Sequence, residues 1–184
     1  MKIRLIMALL TLAGCATTPP EAGCTALGEG VRYCLQPLPA GQGLAVNQWV
    51  EVSVAGRASS EQLVFAIDAA GARMQVVGLS PLGQQVFRVT ADHGTLSWNG
   101  PAAAEALGRQ LPALIQLMLW PEAAVRDGLS AGATLTVSSR ERRLSGRDTL
   151  LLTSRQTAAT PAEGAIEAHF TPLDARIRIS PLED

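Results

Sequence analysis

The sequence predicts a mainly β protein in which a helical lid is set between two runs of antiparallel strands. From Val46 apolar residues fall on a period of two, and a second alternating region begins at Ala133. Between them lies LIQLMLWP, residues 114 to 121, apolar on nearly every side. Alternation of this kind is what a strand buried on one face requires. A helix without a polar face must be covered by protein, lipid or a ligand.

The chain opens with MKIRLIMALLTLAGC, in which Lys2 and Arg4 precede an apolar run from Leu5 to Leu12 and small residues lead into Cys15. That is the pattern of an export leader, which leaves the mature protein. Leu12-Ala13-Gly14-Cys15 resembles a bacterial lipobox, implying a signal peptide over 1–14, cleavage before Cys15 and acylation of that cysteine. Ala16 in place of an aspartate implies sorting to the outer membrane of a Gram-negative cell, with the domain facing the periplasm. Several acyl chains anchor stably where a single one does not. The polar, proline-bearing ATTPPEAG that follows reads as a leash, so 15–23 form lipidated cysteine and tether and 24–184 form one domain.

Removing 14 residues from 184 leaves 170, enough for one domain that buries about 70% of its unfolded surface. Of 15 basic residues, Lys2 and Arg4 go with the leader, leaving 13 against 16 acidic ones and a formal charge of −3. A nucleic-acid footprint needs a basic excess, so nucleic acid is not an expected partner. Charged residues make up 17% of the chain, below the roughly 25% of ordinary soluble domains. Once Cys15 is acylated, Cys24 and Cys34 remain as an even pair in an oxidising compartment, read as a disulfide ahead of a free thiol.

The stretch from Cys24 to Gly43 is rich in glycine and proline and shows no sustained period beyond short pieces near Val31 to Leu35. Val46, Val50, Val52 and Val54 then share one phase, with Asn47, Glu51 and Ser53 on the other. Similar segments at 62–68, 73–79, 84–91 and 95–98 are separated by AAGA, SPLG and DHG, which reads as a meander joined by tight turns. Asn99-Gly100-Pro101 ends the pattern, and the alanine-rich run to Leu111 reads as helix with proline at its tolerated first position. Pro112 starts the apolar helix, Pro121 breaks it, and EAAVRDG adds a short turn of helix ending at Gly128. Strands return with Ala133, Leu135 and Val137. Arg140 to Arg143 reads as a charged hairpin tip, Leu150 and Leu152 lie on the next period, and Ile166, Ala168, Phe170, Ile177 and Ile179 share a face.

Catalytic machinery is hard to assemble. His93 falls in a turn and His169 alternates outward on a strand, both positions of solvated residues. Gly78 to Gly83 lacks Gly-x-Ser-x-Gly spacing and leads into a strand rather than a helix. The sequence carries no phosphate-cradling loop or zinc motif, so neither enzyme nor cofactor is expected. In SPLG, Leu82 stands at the tip of a Pro-Gly turn, where a side chain projects into solvent unless something apolar meets it.

The order of lipobox, meander, SPLG turn, helices and returning strands resembles LolB, the outer-membrane lipoprotein receptor, and its relative LolA. The most specific stretch is RMQVVGLSPLGQQVFRV, residues 73 to 89, with LIQLMLWP matching the helix that precedes a proline in LolB. The resemblance spans roughly 46 to 180 in order of elements, and the segment from Cys24 to Cys34 departs from the long polar helix of LolB. In length and in VGLSPLGQ the chain is more similar to uncharacterised LolB-like lipoproteins whose genes often lie in clusters for aryl-polyene or related lipid products.

The resemblance implies an incomplete antiparallel barrel capped by short helices, with an apolar cavity that receives acyl chains. It implies a protruding loop, Pro81, Leu82 and Gly83, that touches the outer membrane. Strand phase and helix position nominate Phe65, Val76, Phe87, Leu117, Met118 and Trp120 as cavity lining. The expected function is therefore an outer-membrane-anchored carrier or receptor for a lipidic or acylated cargo, supplied by a periplasmic carrier or an inner-membrane exporter. The alternative is a non-catalytic lipoprotein that braces an envelope complex and fills its barrel with its own side chains.

Overall fold

The computed structural model describes residues 23–56, 60–158 and 164–182. The leader expected over 1–14, the acylation site Cys15 and the tether up to residue 22 lie outside the described residues.

Cys24–Gly28 (β1) and Val31–Cys34 (β2) form a separate two-stranded hairpin. The sequence shows no clear period here, and the pairing has other causes. Cys24 and Cys34 are cross-strand partners joined by a disulfide, and Leu27, Val31 and Tyr33 are buried on one face.

The expected meander follows as Gly43–Val54 (β3), Glu61–Ala70 (β4), Arg73–Leu79 (β5), Gln85–Asp92 (β6) and Thr95–Asn99 (β7), each antiparallel to the next. The helical segment is more broken than the alanine content suggests. A 3-10 turn at Ala102–Ala104 runs into a single turn, Glu105–Gly108 (α1), before Leu111–Leu119 (α2) and Glu122–Gly128 (α3). The strands Ala133–Val137 (β8), Glu141–Gly146 (β9), Thr149–Gln156 (β10), Ile166–Phe170 (β11) and Ala175–Pro181 (β12) complete the fold.

Ten strands make one sheet in the order β7-β6-β5-β4-β3-β12-β11-β10-β9-β8. The two edges, β7 and β8, do not pair with each other, so the barrel is incomplete, and the helices occupy the connection between those edges. The fold class is thus mainly β, an incomplete antiparallel barrel with a helical lid.

The period of two in the sequence becomes the two faces of this sheet. Val50 on β3, Phe65 and Ile67 on β4, Met74 and Val76 on β5, and Phe87 and Val89 on β6 all belong to one buried cluster with α2. In the second half Leu144, Leu152, Ile166, Phe170 and Ile179 do the same. The expected alternation through Leu150 and Leu152 is interrupted. A register shift between those residues buries both Leu151 and Leu152 and leaves Leu150 exposed. The bulge turns two successive leucines inward, which regular pleating forbids.

Candidate functional site

The interior of the open barrel is closed by α2. Every residue from Pro112 to Met118 is buried, as a helix without a polar face demands. It carries one polar side chain, Gln116, and that residue fastens the helix to the disulfide hairpin and the strand exit behind it. Gln116 Oε1 accepts from the Tyr33 hydroxyl at 2.9 Å and from the Gln36 amide N–H at 2.8 Å, while its Nε2 donates to the Gln36 carbonyl at 3.0 Å. Trp120 Nε1 donates to the same carbonyl at 3.1 Å.

The C-terminal end of α2 is also held by the barrel wall. A helix leaves its last carbonyls without partners, and here the barrel wall supplies them. Arg142 on β9 donates to the carbonyls of Leu117 at 3.0 Å and Trp120 at 2.7 Å, and Gln156 on β10 donates to that of Met118 at 3.2 Å. The run Arg140 to Arg143 is therefore not a uniform solvated tip: Arg142 turns inward while Arg143 pairs with Glu141 outside. Burial lowers the pKa of Arg142, with Glu122 and Tyr33 opposing the shift. An arginine keeps its charge through such a shift and completes the cap with a cation where the helix dipole favours one.

Burial also pushes the Tyr33 phenol well above its usual value of 10.0. The neutral phenol is the form that donates to Gln116, so the raised pKa keeps this bond intact. A raised folded pKa means that Tyr33 contributes stability below pH 10 and loses it as pH rises from there toward the folded value. Because the chain has one tyrosine, ultraviolet titration reads this group alone. The expected result is no phenolate in the folded protein at pH 10 and a fall in the urea midpoint above it, a slope that Tyr33→Phe removes. Ordinary titration near pH 10 would show that the phenol is not buried against Gln116.

Aromatic residues line the β4–β7 end of the interior. Phe87 meets Phe65 edge-on at 5.5 Å and stacks on Trp98 at 5.2 Å. Three glycines make room for them: a Cβ at Gly78 would overlap the ring of Phe87 at 2.1 Å, one at Gly108 that of Trp98 at 2.1 Å, and one at Gly100 would lie 2.7 Å from both side chains.

The residues nominated as cavity lining are brought together in one buried cluster, with Val76 and Leu117 at 0% and 1% exposure and Met118 and Trp120 at 2% and 1%. In this state α2 fills the interior with Leu117 and Met118. A hollow of about 340 Å³ opens beside Trp120 and Gln116, bounded by Gln36, the β4–β5 turn and His93. A wider groove lies on the outer face of β9–β12, where Glu141, Arg155, Glu167 and Arg178 alternate in charge across the strands. His93 is exposed, and His169 is outward and bonded to Asp174. Among the described residues no group of three His, Cys, Asp or Glu is placed to hold a metal.

The SPLG turn projects from the rim between β5 and β6. The Ser80 carbonyl accepts from the Gly83 N–H at 2.8 Å, and Gly83 takes the left-handed conformation, with φ of 78°, that closes the turn. Leu82 is 87% exposed, the most exposed large apolar side chain described.

Residues 45–183 match the model of a family described as a protein of unknown function, DUF3261. The chain belongs to that family. The DUF3261 region takes in the ten-stranded sheet from Ala45 and the helices, whereas β1 and β2 lie before it. No curated protein matches the chain. Among solved structures, the crystal structure of a LolA superfamily protein from Nitrosomonas europaea is similar with a TM-score of 0.40 and 10% identity, covering 80% of this chain and 89% of that one.

Sequence reasoning missed Gln116 and Arg142 as the fastenings of α2. A glutamine inside an otherwise apolar helix was a readable signal for the first. A four-residue polar run without alternation gave none for the second.

Proposed function

We propose that this DUF3261 protein is an outer-membrane-anchored, periplasm-facing carrier or receptor of LolB-like architecture that takes a lipidic or acylated cargo into the barrel and helps deliver it to the outer membrane. The observation that carries this reading is the closure of an apolar interior by one short helix, held through its C-terminal half by side-chain hydrogen bonds rather than by sheet pairing. An open barrel edge and a separable helix allow the interior to be vacated. Phe65, Val76, Phe87, Leu117, Met118 and Trp120 then form the walls against which alkyl chains pack, at about 0.8 kcal/mol per buried methylene. Cys15 supplies the anchor and Pro81, Leu82 and Gly83 the membrane contact. Burying Leu82 in a bilayer contributes roughly 1.5–3 kcal/mol, enough to dip and release but not to anchor.

The mature chain carrying Cys15→Ala, purified from the periplasm without detergent, is expected to show bound acyl or polyene mass in native mass spectrometry. A clean apo mass after incubation with envelope lipids would instead favour the second reading, an envelope-bracing protein, which the packed state of the interior suits. Leu82→Glu is expected to leave the thermal midpoint within about 2 °C, because the side chain is in solvent, and to lower cargo transfer to vesicles about tenfold or more. Unchanged transfer with the fold intact would remove the membrane-contact role.

A further inference from the structure

The inward face of β3 carries one residue that the packing does not explain. Gln48 lies on the same phase as Val46 and Val50 and is 1% exposed, yet neither Oε1 nor Nε2 of its amide has a hydrogen-bond partner. Its cross-strand partners are Phe65 on β4 and Pro181 on β12, so its backbone is fixed between two strands and its side chain points where the valines point. The other buried glutamines behave differently: Gln116 holds Tyr33 and Gln36, and Gln156 holds the end of α2.

A buried primary amide with both ends unpaired costs the whole of its desolvation, and leucine of similar size would avoid that cost. A hydrogen-bonding group brought into the interior would recover part of that cost. Hydrocarbon cannot. An acyl group can, because its carbonyl oxygen accepts from Nε2. The position matters as much as the chemistry, since Gln48 sits midway along the longest strand and its side chain is buried.

We infer that Gln48 is a recognition residue for the ester or amide carbonyl of an acylated cargo, so that the linkage enters the barrel along with its chain. This rests on the carrier reading above. It narrows the cargo from anything greasy to molecules that carry a hydrogen-bond acceptor within the buried length, and it makes the barrel discriminate against bare hydrocarbon.

The test uses the mature chain with Cys15→Ala and three probes: diphenylhexatriene, which has no polar atom, and methyl decanoate and undecane as competitors that displace it. The wild type is expected to bind diphenylhexatriene with enhanced fluorescence. Gln48→Leu is expected to weaken methyl decanoate about tenfold while undecane binds as well or better, and Gln48→Met to act in the same direction. Opposite responses of the two competitors are the signature, since a general packing defect moves both alike. If both variants bind diphenylhexatriene and shift the competitors equally or not at all, Gln48 recognises nothing and the carrier reading stands without it. If the wild type binds no diphenylhexatriene, the carrier reading fails and the inference with it.

Discussion

Gln116→Leu is expected to lower the stability of the protein by about 2–5 kcal/mol. The substitution keeps the size and apolar fit of α2 but removes three hydrogen bonds at once. The Gln36 carbonyl retains Trp120 as a donor, whereas the Tyr33 hydroxyl and the Gln36 N–H are left buried or half-buried without partners. Each orphaned group costs about 1–3 kcal/mol, and for a domain of this size 1 kcal/mol moves the thermal midpoint by about 2–4 °C. A fall of roughly 10 °C is expected, with amide hydrogens of α2 exchanging faster than those of β3 to β6. A midpoint within about 2 °C of wild type would mean that apolar packing alone holds the helix, and the case for a separable lid would weaken.

Gly78→Ala is expected to cost about 2–4 kcal/mol for a different reason. The new methyl would lie 2.1 Å from the edge of the Phe87 ring, and that ring is hemmed in on its other sides. Phe65 meets it edge-on, Trp98 stacks on it, and Trp98 is itself seated against Gly108 and Gly100. Overpacking of this kind costs about 1–3 kcal/mol, and each aromatic pair displaced forfeits a further ~0.5–1.5 kcal/mol. Gly43→Ala is the matched control, since its Cβ meets only the Ala69 carbonyl at 3.7 Å, and it should change stability by less than about 0.5 kcal/mol. Adding Phe87→Leu to Gly78→Ala should restore part of the loss, a non-additivity that identifies the contact. Equal effects at Gly43 and Gly78 would point to glycine's backbone rather than the ring.

The long strands were legible because one face of each is buried and the other is not, so Val50, Val76 and Val89 declare their phase. The apolar helix was legible for the complementary reason that it has no second face. Short paired strands are another matter: β1 and β2 have too few residues for a period to emerge, and their pairing is held by the disulfide and by the burial of Tyr33 against α2. Arg142 is unreadable because its neighbours are also polar, and its inward turn depends on helix carbonyls that only the tertiary fold brings to β9. The extra residue at Leu151 is a bulge, a local departure from pleating that an unbroken run of three leucines disguises. Gln48 was readable, being the polar member of the valine phase. Its lack of a partner was not, since that depends on what surrounds it.

The pairing of β3 with β12 sets the timing of folding. Gln48 pairs with Pro181 and Val50 with Ile179, so the centre of the sheet joins one of the first long strands to the last. Each flank is built from neighbours in sequence and can form by short loop closures, but the seam between them closes only after nearly the whole chain is available. Until then each flank presents an unpaired edge and an uncovered apolar face. A chain emerging slowly from the ribosome therefore has no finished sheet until its final strands are made, and until then its open edges are vulnerable to wrong pairing. The final strand, β12, joins the two flanks into one sheet.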